Sequence, residues 1–190
     1  MGKLILVRHG ESLWNAKNVW TGLTDIDLSP VGCMQAKAAA QKLSELSIDL
    51  CYTSNLVRSI HTAAIILEQL DLTHLDVIRT SSLNERDYGD LTGKDKNEVK
   101  KEIGEEAFKN LRRGFLTPIP NGESLSMVYD RVVSYYQLEI EPLLKSGHNI
   151  LIVAHGNSLR ALVKYLRNLT NEEVAQLEIA TGEVLFFEFN

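Results

Sequence analysis

Two histidines stand where apolar runs end, and each is followed by glycine. "KLILV" runs into Arg8, His9 and Gly10, and "NILIVA" runs into His155 and Gly156. A third run, "IDLCYT", ends at Thr53-Ser54, with Arg58 shortly after. An imidazole beside fixed cations can serve as a nucleophile, a general base or a passive phosphate clamp. Arg8 and Arg58 can hold phosphate oxygens in forked geometry and stabilise the charge on a transferring phosphoryl group. To attack phosphorus, His9 must be neutral, with one ring N–H tied to a backbone carbonyl and the other nitrogen free. His155 can donate to the phosphate without being consumed. The departing oxygen needs a proton, so a buried carboxyl group should stand nearby.

Such chemistry needs a scaffold that brings three chain segments to one edge. "KLILV" and "NILIVA" are apolar on both faces and read as fully buried strands. "IDLCYT" (48–53), "LDVIRT" (75–80) and "EVLFFEF" (183–189) are further strand candidates. Between them lie helical patterns. "SPVGCMQAKAAAQKLSEL" opens with Ser29 as N-cap and Pro30 in the first turn. "SNLVRSIHTAAIILEQL" and "NSLRALVKYLRNL" are amphipathic and follow strands, and "ESLSMVYDRVVSYYQLEIEPLL" is longer. The alternation predicts an α/β fold, a three-layer α/β/α sandwich with a mostly parallel central sheet. In such sheets ligands bind at the carboxyl ends of the strands. The junctions there add helix starts, whose free N–H groups favour anions. A single domain over 1–190 is expected, with a charged, turn-rich and otherwise irregular cap region at about 90–122.

Bulk composition narrows the class. The chain has 190 residues, 44% of them hydrophobic, so it can bury a full core. Its net charge of −5 argues against a general nucleic-acid binder and makes a local cationic pocket a specific feature. Cys33 and Cys51 form no CxxC and read as reduced, buried thiols. No apolar run spans a membrane, "LILV" is too short for a signal-peptide core, and Leu6 stands where a myristoylation pattern wants Ser or Thr. The expectation is a cytoplasmic protein with no membrane or nucleic-acid partner. No His/Cys/Asp cluster has metal-ligand spacing, which predicts metal-independent catalysis. His61, His74 and His148 read as ordinary surface or helix residues, and Trp14 and Trp20 suit packing or a pocket equally.

Two motifs mislead. "GDLTGKD" is one residue short of a P-loop and lacks its Ser or Thr. Ser158 in "HGNSLR" sits like a hydrolase nucleophile, but the second glycine of GxSxG is absent and no histidine follows it.

"RHGESLWN", "TGLTDIDLSPVG", "TSNLVRSIHTA", "LNERDYGDLTGKDK" and "AHGNSLRALVKYL" together resemble the cofactor-dependent phosphoglycerate mutases of the histidine phosphatase superfamily, over nearly the whole chain. The resemblance implies His9 as the phosphorylated nucleophile, Arg8, Arg58 and His155 as the phosphoryl grip, and Glu85 as the acid/base. It implies hydrogen bonds from Asn15 and Asn157, with Gly156 beside them, and a substrate lining of Ser12, Thr21 and Gly22. Tyr88, Lys96, Arg112 and Arg113 would hold the far end of a doubly anionic ligand. The implied reaction is interconversion of 3- and 2-phosphoglycerate, in glycolysis and gluconeogenesis, with 2,3-bisphosphoglycerate as phosphoryl primer and a monomer or homodimer as the assembly.

The chain departs from many members in two places. "RRGFLTPIPNGESL" passes from the Arg pair to ESL without a long insertion, and "FFEFN" lacks an extended tail. Both segments are expected to cover the site, and an exposed phosphohistidine can hydrolyse. A metal-independent histidine-type phosphomonoesterase is therefore the second expectation. A non-catalytic phospho-ligand module is the third, though it would have no need to keep both His9 and Glu85.

Overall fold

A computed structural model describes residues 2–189. Five strands form one sheet: β1 (Lys3–Arg8), β2 (Leu50–Thr53), β3 (Val77–Arg79), β4 (Ile150–Ala154) and β5 (Val184–Glu188). Their order is β3-β2-β4-β1-β5. The first four run parallel, and β5 lies antiparallel against β1 at one edge. Alternation along β1 explains its unbroken apolar run. Leu4 and Leu6 enter one core with Ile150, Ile152 and Ala154, while Ile5 and Val7 enter the other with Leu151 and Val153.

The helices divide between these two cores. On the Ile5/Val7 face lie α2 (Pro30–Leu43) and α3 (Val57–Gln69). On the other lie α6 (Leu125–Tyr135) and α8 (Gly156–Leu166), with α7 (Glu141–Lys145) and α9 (Asn171–Gln176). A single helical turn, α1 (Leu13–Ala16), follows β1. Side-chain caps start most of these helices: Ser29 accepts from Gly32 N–H, Ser124 from Met127 N–H and Thr170 from Glu173 N–H. No helix among the described residues is long and apolar enough to cross a membrane.

Three expectations need correction. The region 90–122 is not irregular: it holds α4 (Lys96–Ile103) and α5 (Glu105–Arg113), joined at Gly104 with φ +84°. Their charges concealed the few apolar residues that anchor them. Val99, Phe108 and Leu111 pack with Trp20, Tyr88, Leu91 and Ile119 in a small third core. The long helix of 123–144 is interrupted by a wider turn at Tyr136–Ile140, just ahead of Pro142. Cys51 is buried but Cys33 is partly exposed. The buried stripe of α2 runs through Gly32, Ala36, Ala39, Ala40 and Leu43, and Cys33 falls on its flank.

Below α4 and α5, two loops cross closely. A Cβ on Gly89 (φ +41°) would stand 2.2 Å from Pro120 O, and one on Gly122 would stand 2.6 Å from Asp87 O. Only glycine fits at both places, and the crossing seats the loop that carries Glu85.

Candidate active site

β4 lies between β1 and β2, and its following helix goes to the opposite face from theirs. A crevice opens at such a reversal, beyond the carboxyl ends of the strands. Arg8 pairs in register with Ala154, so His9 and His155 are the next residues out on adjacent strands. Their rings lie 4.9 Å apart, centroid to centroid. α3 is fastened to the same edge, since Ser59 Oγ donates to Val153 O (2.6 Å) and Gly10 N–H donates to Thr62 Oγ1 (3.0 Å).

His9 is buried, and its Nδ1 sits 2.6 Å from Gly10 O. A carbonyl only accepts, so Nδ1 carries the proton and Nε2 is left with its lone pair. Burial, then Arg58 and Arg8, push the ring's pKa well below 6.5, so it is neutral at pH 7. His155 is fully buried behind it, with Nε2 2.7 Å from Ser54 Oγ. Burial, Arg58, His9 and Arg8 hold His155 neutral as well.

Arg58 leaves the first turn of α3 and anchors through Nη1 to Thr24 O (2.9 Å) and Nη2 to Gly22 O (2.8 Å). Burial lowers its pKa to about 10, still charged at neutral pH. Arg8 Nη1 donates to Ile179 O (2.6 Å), and its buried Nε has no partner among the described residues. Thr21 Oγ1, Trp20 Nε1 and Arg160 Nε are likewise buried without partners, and all four residues line one cavity. Buried donors left unpaired around an opening suit a ligand rich in acceptor oxygens.

Glu85 is buried on the same cavity. Three N–H groups converge on its Oε1: Arg86 N (2.8 Å), Asn157 N (3.2 Å) and Asn157 Nδ2 (3.1 Å). Among the described residues nothing hydrogen-bonds to Oε2, so this oxygen is left free. The start of α8 is therefore not an open anion site, as its position after β4 suggested, because the chain's own Glu85 occupies the Asn157 N–H. Tyr88 Oη accepts a further bond from Asn157 Nδ2 (2.8 Å).

The cap helices contribute to the same cavity. Lys96, Arg112 and Arg113 line the cavity with Asn15, Trp20, Thr21, Gly22, Tyr88 and Gly156. Lys96 Nζ lies 5.4 Å over the Trp20 ring, and burial with Arg112 and Arg8 lowers its pKa to about 8. Arg113 donates to Leu177 O (3.1 Å) and pairs with Glu178. Six cations line the cavity (Arg8, Arg58, Lys96, Arg112, Arg113, Arg160) against two carboxylates (Glu85, Glu178), which inverts the chain's negative balance.

His155, fully buried, does not itself line this cavity, and neither does Ser12. It caps α1, accepting from Asn15 N–H (3.1 Å) while its own N–H donates to Asn15 Oδ1 (3.1 Å). Trp20, which suited packing or a pocket equally, lines the cavity, and three further lining residues were not among the candidates. Arg160 donates to Asn157 Oδ1 (2.9 Å), one helical turn away. Glu178 and Ile179 enter from the segment that joins α9 to β5, which no residue type advertised.

Residues 4–190 match the family described as the histidine phosphatase superfamily (branch 1). A relative from Cytophaga hutchinsonii named 2,3-bisphosphoglycerate-dependent phosphoglycerate mutase is 46% identical over 187 residues, 98% of this chain and 87% of its own. The α-ribazole phosphatase of Shigella flexneri is 27% identical, with a TM-score of 0.83 over 99% of this chain and 91% of that one. Bacillus stearothermophilus YhfR shares the fold, with a TM-score of 0.87 at 24% identity over 100% of this chain and 92% of that one.

Proposed function

The chain belongs to the histidine phosphatase superfamily, and from that premise we propose that it interconverts 3- and 2-phosphoglycerate through phospho-His9. The observation that carries this reading is that Lys96, Arg112 and Arg113 line the same cavity as His9, Arg8 and Arg58, a second set of cations beside the strand-end one. A monophosphatase needs one anion clamp, whereas a ligand anionic at both ends uses two. The mutase name of the Cytophaga hutchinsonii relative supports the same reading. The whole chain acts as one domain, with α4 and α5 as its cap.

The unpaired buried donors of Arg8, Thr21 and Arg160 fit a bisphosphorylated acid. When bound, 2,3-bisphosphoglycerate supplies the phosphoryl group that charges His9. Arg8, Arg58 and His155 hold the equatorial oxygens as His9 Nε2 bonds to phosphorus. Glu85 gives a proton from Oε2 to the departing oxygen, and it takes one back from the hydroxyl that later accepts the phosphoryl group. Asn157 keeps Oε1 occupied and so aims Oε2. Lys96, Arg112 and Arg113 hold the other end while the ligand is turned.

A coupled assay with and without added 2,3-bisphosphoglycerate tests this. Turnover that depends on the primer is expected; primer-independent turnover, or none, overturns it. The α-ribazole phosphatase neighbour supports a second reading, a phosphomonoesterase at the same site. Phosphate release exceeding isomerisation in one sample would favour that reading.

A further inference from the structure

We propose that Arg131 and Glu123 are the positioning pair for Glu85, fixing the loop that aims its carboxyl into the cavity. Glu85 lies on a loop just beyond a single helical turn, Ser81–Leu83, and is itself part of no strand or helix. Arg131, on α6, supplies the restraint. Its Nη1 donates to Ser82 O (2.8 Å) and Asn84 O (2.9 Å), and its Nη2 donates to Glu85 O (3.1 Å). The same guanidinium meets Glu123 in a fork, Nε to Oε1 and Nη2 to Oε2, both 2.9 Å.

Glu123 closes the other side of the loop. Its Oε2 accepts from Asp87 N–H (2.9 Å), and its own N–H donates to Asp87 O (2.9 Å). Its carbonyl accepts from Arg86 Nε (2.5 Å). Residues on both sides of Glu85 are thus tied to one ion pair. Its two side chains are only 23% and 20% exposed, and neither lines the cavity. Their effect on chemistry therefore passes through the loop that carries Glu85, apart from the Arg131 charge felt at His155, which Arg131→Lys preserves. A planar fork can bridge three carbonyls and a carboxylate at once, which an ammonium cannot.

This role rests on Glu85 as the acid of the proposed reading. As the bond from His9 Nε2 to phosphorus forms and the ester P–O bond breaks, the leaving alkoxide takes the Glu85 proton. A good leaving group, such as p-nitrophenolate, departs without that proton. A displaced Glu85 should therefore slow alkyl phosphates and spare aryl phosphates, whereas general damage to the fold would slow both.

The test compares kcat/KM for 3-phosphoglycerate and for p-nitrophenyl phosphate in Arg131→Lys, Glu123→Gln and Glu85→Gln. We expect Arg131→Lys to lose ~10²-fold on phosphoglycerate, the scale of a 1 Å misplacement, and only a few-fold on the aryl ester. Glu123→Gln keeps an acceptor for Asp87 N–H and should lose less, in the same ratio. It also carries the test if Arg131→Lys fails to fold. Equal losses on both substrates, or no loss in either variant while Glu85→Gln shows the selective one, overturn the positioning role. A Glu85→Gln variant without selective loss overturns the acid assignment, and the positioning role with it.

Discussion

The rings of His9 and His155 lie 4.9 Å apart because β1 and β4 are neighbours in register. Both rings are buried neutral beside Arg8 and Arg58, which sets how the protein responds to acid. The folded pKa of each is far below 6.5, so below that pH the unfolded chain takes up protons that the folded one refuses. Stability is full above 6.5 and falls as pH drops, by up to about 1.4 kcal/mol per pH unit per histidine. Denaturant melts from pH 7 to pH 5 without phosphate should show this, and His155→Gln should flatten the slope. A wild-type melt indifferent to pH would count against neutral burial.

The same depression places the His9 acid limb of kcat/KM well below 6.5. The substrate phosphate ionises near pH 6 and must be titrated separately. After that correction, an acid limb at 6.5 or above would contradict the assignment of a neutral, attacking ring.

On the basic side, Lys96 loses its charge first, with a pKa of about 8. KM for phosphoglycerate should rise as pH passes 8, and Lys96→Met should remove the dependence, with KM raised below pH 8 and close to the wild-type value above it. An unchanged profile in Lys96→Met would exclude Lys96 from the clamp.

Arg113→Ala should lower mutase turnover about tenfold more than p-nitrophenyl phosphate hydrolysis, on the scale of a lost charge-assisted bond. Because Glu178 already pairs with Arg113, Glu178→Gln should lower KM for phosphoglycerate. Equal losses on both substrates in Arg113→Ala would remove the argument for two clamps.

The segment that carries His9 out of β1 depends on a close backbone approach to α2. A Cβ on Gly32 would stand 2.1 Å from Glu11 O, and one on Gly10 2.2 Å from Gly32 O. Gly32→Ala should therefore cost roughly 1–3 kcal/mol, readable as a lowered denaturation midpoint, and should move His9. Wild-type stability in this variant would refute the packing account.

Much of this was legible in the sequence. The sheet could be read because β1 and β4 are apolar on both faces, a pattern that few other elements produce. The strand-end residues followed because glycine marks the turns that release them. The cap helices were hidden, since Val99, Phe108 and Leu111 are sparse among charges and acquire meaning only against Trp20. Ser12 misled because its hydroxyl is used in a cap, which the Ser-x-x-Asn spacing could have signalled. Arg160 could have been found from its one-turn spacing to Asn157. Ile179 offers a backbone carbonyl to Arg8, and no side-chain type announces that.

The most direct test of the central claim is rapid-quench mass spectrometry of protein treated with 2,3-bisphosphoglycerate and kept alkaline to preserve phosphohistidine. The account predicts one acid-labile phosphoryl group on Nε2 of His9, absent from His9→Ala. A label on any other side chain, or undiminished mutase turnover in His9→Ala, would contradict it.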